Sequence, residues 1–455
     1  MRSRNIDLTS GPIFKSVVLY AIPIIIAGML QIFFNAADLA VVGHFSDNPN
    51  TTAAVGATGS SIALIVNSIL GLSVGINVVL SRSIGAKDYI RVHRMIHTAI
   101  TVSLAMGFGI AVVGFFLSEP LMIATKCPQN SYDMAVSYMK IYFLGAPGIL
   151  LYNFGSAILR TKGDTKRPLY FLAISGVANV ILNIFFVVAL NMTASGVALA
   201  TTISQYISAY LTLSCLTKQE AVFRLNIKHL CVYKKELLDL IKYGLPSGIT
   251  NAMFCVSNLQ IQSAINAFKD SAVAGNAACT SLEGFVATGI SAINATTVTF
   301  VGHNLGANNR ERVKKCFWVC MAVSVGYSFI FGMGIFAFLR EIISAVYLPH
   351  DPKAVDVAVI RGIYLPTMYW ISGAYNVIGG AAQAFGYSTM TMINSVIGIF
   401  GVRTVWMQLF YPNNPTLDML YICYPVTWTL ILFANTLVFC YAWRKYTKKG
   451  ELIDL

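Results

Sequence analysis

Residues Ala27–Gly43, AGMLQIFFNAADLAVVG, set one carboxylate, Asp38, deep in an otherwise apolar stretch. From Ile13 to Val42 only Lys15 and Asp38 carry charge. A helix of that length, at about 1.5 Å per residue, is ample to cross about 30 Å of hydrocarbon. A carboxylate at that depth is costly to keep, and ionisable residues inside membranes are as a rule functional. Gln31, Asn35 and Asp38 recur at i, i+4 and i+7, so they share one helix face, and Pro23 lies earlier in the same helix, where it would bend it.

Runs of this kind recur about twelve times. They lie near 15–42, 53–80, 95–118, 134–158, 168–190, 194–216, 239–267, 272–301, 316–339, 360–384, 389–411 and 418–443, and are numbered helices 1 to 12 in that order. With 56% hydrophobic and 11% charged residues, against about 25% charged in ordinary soluble domains, the sequence predicts an integral membrane protein. The first run is too long, with too few basic residues before it and no small-residue cleavage site, for a cleaved signal peptide, so helix 1 is expected to remain.

A net charge of +13 would point to nucleic acid in a soluble protein, so the placement of the basic residues decides its meaning. Arg2, Arg4 and Lys15 precede helix 1; Arg82, Lys87, Arg91 and Arg94 follow helix 2; Arg160, Lys162, Lys166 and Arg167 follow helix 4. Lys218 to Lys242, Arg310 to Lys315 and Arg444 to Lys449 continue the pattern on the same side, which predicts cytoplasmic termini and no nucleic-acid partner. The nine cysteines and six histidines have no ligand or disulfide spacing, and no loop has the P-loop spacing. Neither a metal, a cofactor nor an enzyme is therefore expected.

The chain is written twice. TyrAlaIlePro at 20–23 returns as TyrGlyLeuPro at 243–246, SerIleGlyAlaLys at 83–87 as AsnLeuGlyAlaAsn at 304–308, and Ile141-Tyr142 as Ile363-Tyr364, all at an offset of about 222. Each copy holds six helices, an even number, so both halves enter from the same side and the repeat axis lies along the membrane normal. The expected fold is an all-α membrane protein with twelve transmembrane helices in two six-helix lobes related by a pseudo-twofold axis: residues 1–217, a cytoplasmic linker 218–240, and residues 241–455. In Leu216 to Lys242 the stripe Ile227, Leu230, Leu237, Leu238 and Ile241 reads as a surface helix on the leaflet, with a plain solvated linker as the alternative.

Polar residues gather on particular faces of the other helices: Ser175, Asn179 and Asn183 in helix 5, Thr201 and Thr202 in helix 6, Asn258 and Gln262 in helix 7, Asn276, Thr280 and Glu283 in helix 8, and Ser372, Asn376 and Gln383 in helix 10. Singly these fit interhelical hydrogen bonding; together, in two symmetric halves, they predict a polar cavity. Asp38, Glu283 and Arg403 are the charges expected well inside the hydrocarbon. Glu283 and Arg403 either pair with each other or bind substrate, Glu283 suiting a cation and Arg403 an anion.

The segments AsnAlaAlaAspLeuAlaValValGly at 35–43, SerIleGlyAlaLysAsp at 83–88 with its second copy, LeuArgThrLysGlyAspThrLysArgPro at 159–168, AsnValIleLeuAsn at 179–183 and GlyValAlaLeuAlaThr at 196–201 resemble the multidrug and toxic compound extrusion (MATE) transporters. The resemblance covers nearly the whole chain. It implies export of organic, often cationic, compounds in exchange for inward H⁺ or Na⁺ by alternating access, in a bacterial cell membrane. Carried over, the coupling-ion residues are Asp38, Asn179, Asn183 and Thr201, and the substrate-binding candidates are Gln31, Asn35, Asn258, Gln262, Glu283, Asn376 and Arg403. Where many members have an acid at the end of the helix 5 motif this chain has Asn183, and helix 7 has no carboxylate beyond Asp239. One carboxylate rather than two favours H⁺ over Na⁺, and a monomer is expected. The alternatives are a narrow exporter of an amino acid or other zwitterion, with Glu283 and Arg403 each holding one end, and a flippase of lipid-linked precursors, for which Arg403 is the sole candidate to meet a pyrophosphate.

Overall fold

The computed structural model describes residues 7–45, 50–125, 127–220, 222–347 and 351–449. Arg2 and Arg4 of the basic pattern lie outside the described residues. All regular structure among the described residues is helical. Helix 1 is Ile13–Phe45, helix 2 joins Asn50–Leu70 to Leu72–Gly85, helix 3 is Tyr89–Ala124, and helix 4 joins Gln129–Leu144 to Ala146–Thr161. Helix 5 is Lys166–Ile184 continued by Phe185–Ala189, and helix 6 is Ala194–Thr217. Helices 7, 8 and 9 are Lys234–Ile265, Asp270–Gly306 and Arg310–Ala337. Helix 10 runs from Pro352–Tyr364 through Pro366–Met368 to Tyr369–Ala384, helix 11 covers Ser388–Asn413, and helix 12 joins Leu417–Tyr421 to Cys423–Lys449.

By length and composition alone, eight of these segments can cross a membrane, and the pair that makes helix 4, bent by 44°, is a ninth. Helices 6, 7 and 10 complete the twelve. They are the more polar or broken ones, carrying Thr201 and Thr202, the charged start Lys234-Lys-Glu, and the interruption at Pro366. The breaks in helices 4 and 10 have matching causes. Gly107 of helix 3 packs against the backbone of Pro147, and Gly332 of helix 9 against the carbonyl of Pro366, so in each half the third helix fits into the kink of the fourth.

The chain forms two compact units, the first holding Ile22–Ile241 and the second holding Asp7–Ala21 with Lys242–Leu455. In unit 2 the start of helix 1 is held by Tyr20, whose hydroxyl donates to Thr299 at 3.2 Å and whose ring meets Phe300 edge-on. In unit 1 the first turns of helix 7 are held by Asp239, which pairs with Arg91. Outside the packed faces, large apolar side chains stand exposed along single stripes, as with Phe108, Val112, Phe115 and Phe116 of helix 3. In a soluble protein such stripes would aggregate; here they are the faces that hydrocarbon covers.

The surface helix expected over 216–242 does not form. Asn226 caps a single 3₁₀ turn, Ile227–His229, through its side chain. The backbone N–H groups of Asn226 and Tyr233 donate to His97 Nε2 and Thr98 Oγ1 of helix 3, which takes them out of any local helix. Leu237, Leu238 and Ile241 belong instead to the first turns of helix 7.

The repeated turns show why the repeated motifs look alike. Lys87 and Asn308 both have left-handed backbone, with φ of 58° and 53°, and Gly163 and Gly386 share φ of 92° and 90°. In each case the next residue's N–H reaches back five positions to close the helix, as from Asp88 to Ser83 and from Asn309 to Asn304 at 2.9 Å. Asp88 and Asn309 then cap the following helix by accepting from the N–H of Arg91 and Arg312, both at 3.0 Å. Gly163→Ala and Gly386→Ala are each expected to destabilise the protein by about 1 kcal/mol, while Lys87→Gly should be neutral or stabilising, because only glycine enters this region without a Cβ penalty. Thermal unfolding in detergent checks the opposite signs.

Candidate functional site

In unit 1 the four coupling-ion candidates come together around one carboxylate. Helix 5 turns Ser175, Asn179 and Asn183 inward at spacing four, and all three are buried. Asn183 Nδ2 donates to Asp38 Oδ1 at 2.5 Å and to Asn179 Oδ1 at 3.3 Å. Thr201 Oγ1 donates to Asp38 Oδ2 at 3.5 Å and accepts from Asn179 Nδ2 at 3.3 Å. No lysine, arginine or histidine forms an ion pair with Asp38 among the described residues. Asn183 Oδ1 is buried with no hydrogen-bond partner. The cluster can therefore answer both forms of the acid, with Nδ2 toward the carboxylate and Oδ1 toward a protonated hydroxyl. Gln31 and Asn35 are exposed on the same helix, and no side-chain hydrogen bond joins them to this cluster among the described residues.

In unit 2 the expected pairing of Glu283 with Arg403 is replaced by another. Glu283 is gripped by Arg361, Nε to Oε1 at 2.8 Å and Nη2 to Oε2 at 2.7 Å, with Tyr369 donating to Oε2 at 3.2 Å. Arg361 Nη1 donates to Asn276 Oδ1 at 2.7 Å, and Asn276 Nδ2 donates to Gln262 Oε1 at 3.1 Å. Gln262 thus belongs to the shell of the ion pair, and Glu283 is not free to bind a cationic substrate. A two-pronged pair buried on both sides answers the desolvation cost of each charge.

Hydropathy alone starts helix 10 near 360, which leaves Arg361 at its end, whereas the helix begins at Pro352. The signal was present in Asp351-Pro352. Asp351 accepts from the Ala354 N–H, which holds its carboxyl below the usual carboxylate range, and Pro352 takes the first helical position. The helix begins there, so Arg361 lies about 14 Å along it.

Arg403 is fully buried and meets helix 7 instead, with Nη1 at 3.4 Å from both Ser257 Oγ and Asn258 Oδ1. Its guanidinium lies 4.1 Å from the centre of the Tyr424 ring. Asn376, expected at the same site, bonds its own helix through the Ser372 carbonyl at 2.9 Å.

Unit 1 thus holds an acid met by neutral donors, and unit 2 a closed ion pair beside a partly met arginine. The MatE family model matches residues 23–185 and again 246–407, one copy per half. The chain belongs to the MATE family of multidrug and toxic compound extrusion transporters. Its sequence is 27% identical to the probable multidrug resistance protein YpnP of Bacillus subtilis, over 89% of this chain and 90% of that one. Identity is 23% to the multidrug export protein MepA of Staphylococcus haemolyticus, over 87% and 90%, and 22% to the FAD transporter of Shewanella oneidensis, over 85% of each. The fold matches a crystal structure of MATE in complex with MaL6 with a TM-score of 0.88 at 19% identity, covering 98% of this chain and 99% of that one. This MATE chain is accordingly an integral membrane efflux transporter with twelve transmembrane helices in two lobes, and not an enzyme.

Breaking the buried pair by Glu283→Gln or Arg361→Met should destabilise the protein by about 3–5 kcal/mol, because either leaves one charge unanswered. The repeat places Ile62 and Met139, both in the apolar core of unit 1, opposite Glu283 and Arg361. The double change Glu283→Ile with Arg361→Met should therefore recover most of the loss. Melting temperatures of the two single variants and the double variant in detergent provide the check.

Proposed function

We propose that the protein exports organic compounds across a bacterial cell membrane in exchange for an inward cation, with Asp38 as the group that exchanges. The supporting observation is an acid deep in helix 1 that is held by Asn183 and Thr201 and paired with no base among the described residues. Protonation removes its charge and shifts its hydrogen bonding with Asn183, which alters the packing of helix 1. Coupling then requires only that proton and substrate favour different states of the transporter. When deprotonated the same acid suits an organic cation. H⁺ is favoured over Na⁺ because sodium prefers several oxygen ligands, whereas Asn183 turns an N–H donor toward the one carboxylate. Both termini face the cytoplasm, and the protein acts as a monomer.

A second reading, an exporter of one zwitterionic or anionic metabolite, draws support from Arg403 and from the relative named FAD transporter. Glu283 takes no part in it, since Arg361 occupies both its oxygens.

In everted vesicles with each ion gradient imposed alone, a pH gradient should drive efflux of an ethidium-like dye and a sodium gradient should not; sodium-driven export without pH-driven export contradicts the assignment of the ion. Asp38→Asn should lower pH-driven efflux at least about tenfold while the protein still inserts and folds, because the exchanging group is gone. Undiminished pH-driven efflux in that variant would remove Asp38 from the mechanism.

A further inference from the structure

Arg361 and Arg403 are two buried guanidinium groups in the same unit, and one shows what the other lacks. Arg361 gives its Nε and Nη2 edge to the two oxygens of Glu283. Arg403 spends only Nη1, on Ser257 and Asn258, while its Nε and Nη2 are buried with no hydrogen-bond partner. An arginine does not lose its proton to escape this cost. Glu283, Arg361 and Arg403 together carry one net positive charge. Tyr424 stands by both guanidinium groups, its ring centre 5.6 Å from Arg361 and 4.1 Å from Arg403.

The backbone around Arg403 is also set apart. Helix 11 is π-helical on either side of it, over Val396–Val402 and Trp406–Phe410, and Ser257 Oγ donates to the Ile399 carbonyl at 2.8 Å. Stretches of π-helix are frequent at functional sites, where they re-aim a side chain at the expense of regular hydrogen bonding. The hydroxyl that supports the helix 11 backbone is the same one that accepts from Arg403.

The geometry points to Arg403 as the receptor for a carboxylate of the transported compound, bound two-pronged on the Nε and Nη2 edge as Glu283 is bound by Arg361, so that the substrates include carboxylate-bearing anions or zwitterions. The inference rests on the reading of the chain as an exporter of organic compounds, and not on which ion drives it. A planar carboxylate fills both donors at once, which a spherical halide cannot do as well. An inorganic anion could meet the same charge, so the probes must separate the two sources.

The test is thermal unfolding of the full-length protein in detergent, with sodium benzoate as probe, sodium chloride as the inorganic anion and benzamide as the neutral isostere. The expected result is a concentration-dependent rise in melting temperature with benzoate, a smaller one with equimolar chloride and none with benzamide. In Arg403→Lys, which keeps the charge but not the two-pronged edge, the apparent benzoate affinity should fall at least about tenfold; this variant keeps the test open where Arg403→Gln does not fold. Equal stabilisation by chloride and benzoate, or an unchanged benzoate response in Arg403→Lys, would overturn the assignment. Because no gradient is present, the outcome does not depend on whether H⁺ or Na⁺ drives export, and failure of gradient-driven efflux would leave the binding result readable.

Discussion

An ionised group in hydrocarbon must be answered by an opposite charge, by hydrogen bonds or by losing its charge, and the structure answers Glu283, Asp38 and Arg403 in three different ways. Glu283 is answered by Arg361 in a closed two-pronged pair. Among the described residues Asp38 is answered only by the neutral donors Asn183 and Thr201. Arg403 is answered in part, by two oxygens at 3.4 Å and an aromatic face. The closed pair is a fixed support for helices 8 and 10. The proposed exchange rests on the acid that neutral donors answer.

The repeat sharpens the contrast. Arg403 occupies the stretch of helix 11 that corresponds to Asn179–Asn183 of helix 5, and it meets helix 7 about one turn before the counterpart of Asp38. One pseudo-equivalent location therefore carries a negative charge in the first half and a positive charge in the second. The position of the Glu283–Arg361 pair is filled in the first half by Ile62 and Met139, within an apolar core that also holds Val136 and Phe143. Duplication preserved the turns at Lys87 and Asn308, where backbone geometry leaves little choice, and let the buried charges diverge.

Much of this was legible in the sequence. The twelve runs, the repeat and the polar face of helix 5 follow from hydropathy and spacing, because hydrocarbon forces every backbone group into helix. The grouping of Asp38 with Asn179, Asn183 and Thr201 came from the family resemblance rather than from spacing, and the structure brings those four side chains together. The partner of Glu283 did not follow. Pairing across helices depends on relative depth, and an error of a few residues in the start of helix 10 moved Arg361 out of the hydrocarbon. The linker misled for a related reason: the stripe from Ile227 to Ile241 has helical spacing, yet His97 and Thr98 on helix 3 take the backbone N–H groups that a helix would use.

The proposed coupling of substrate binding to the protonation of Asp38 is tested most directly by counting protons on binding. Purified protein in weakly buffered detergent solution, with a pH-indicator dye, is titrated with ethidium. About one proton released per ethidium bound by the wild type, and none by Asp38→Asn, is the predicted result. Proton release that persists undiminished in Asp38→Asn, with ethidium still bound, would contradict it.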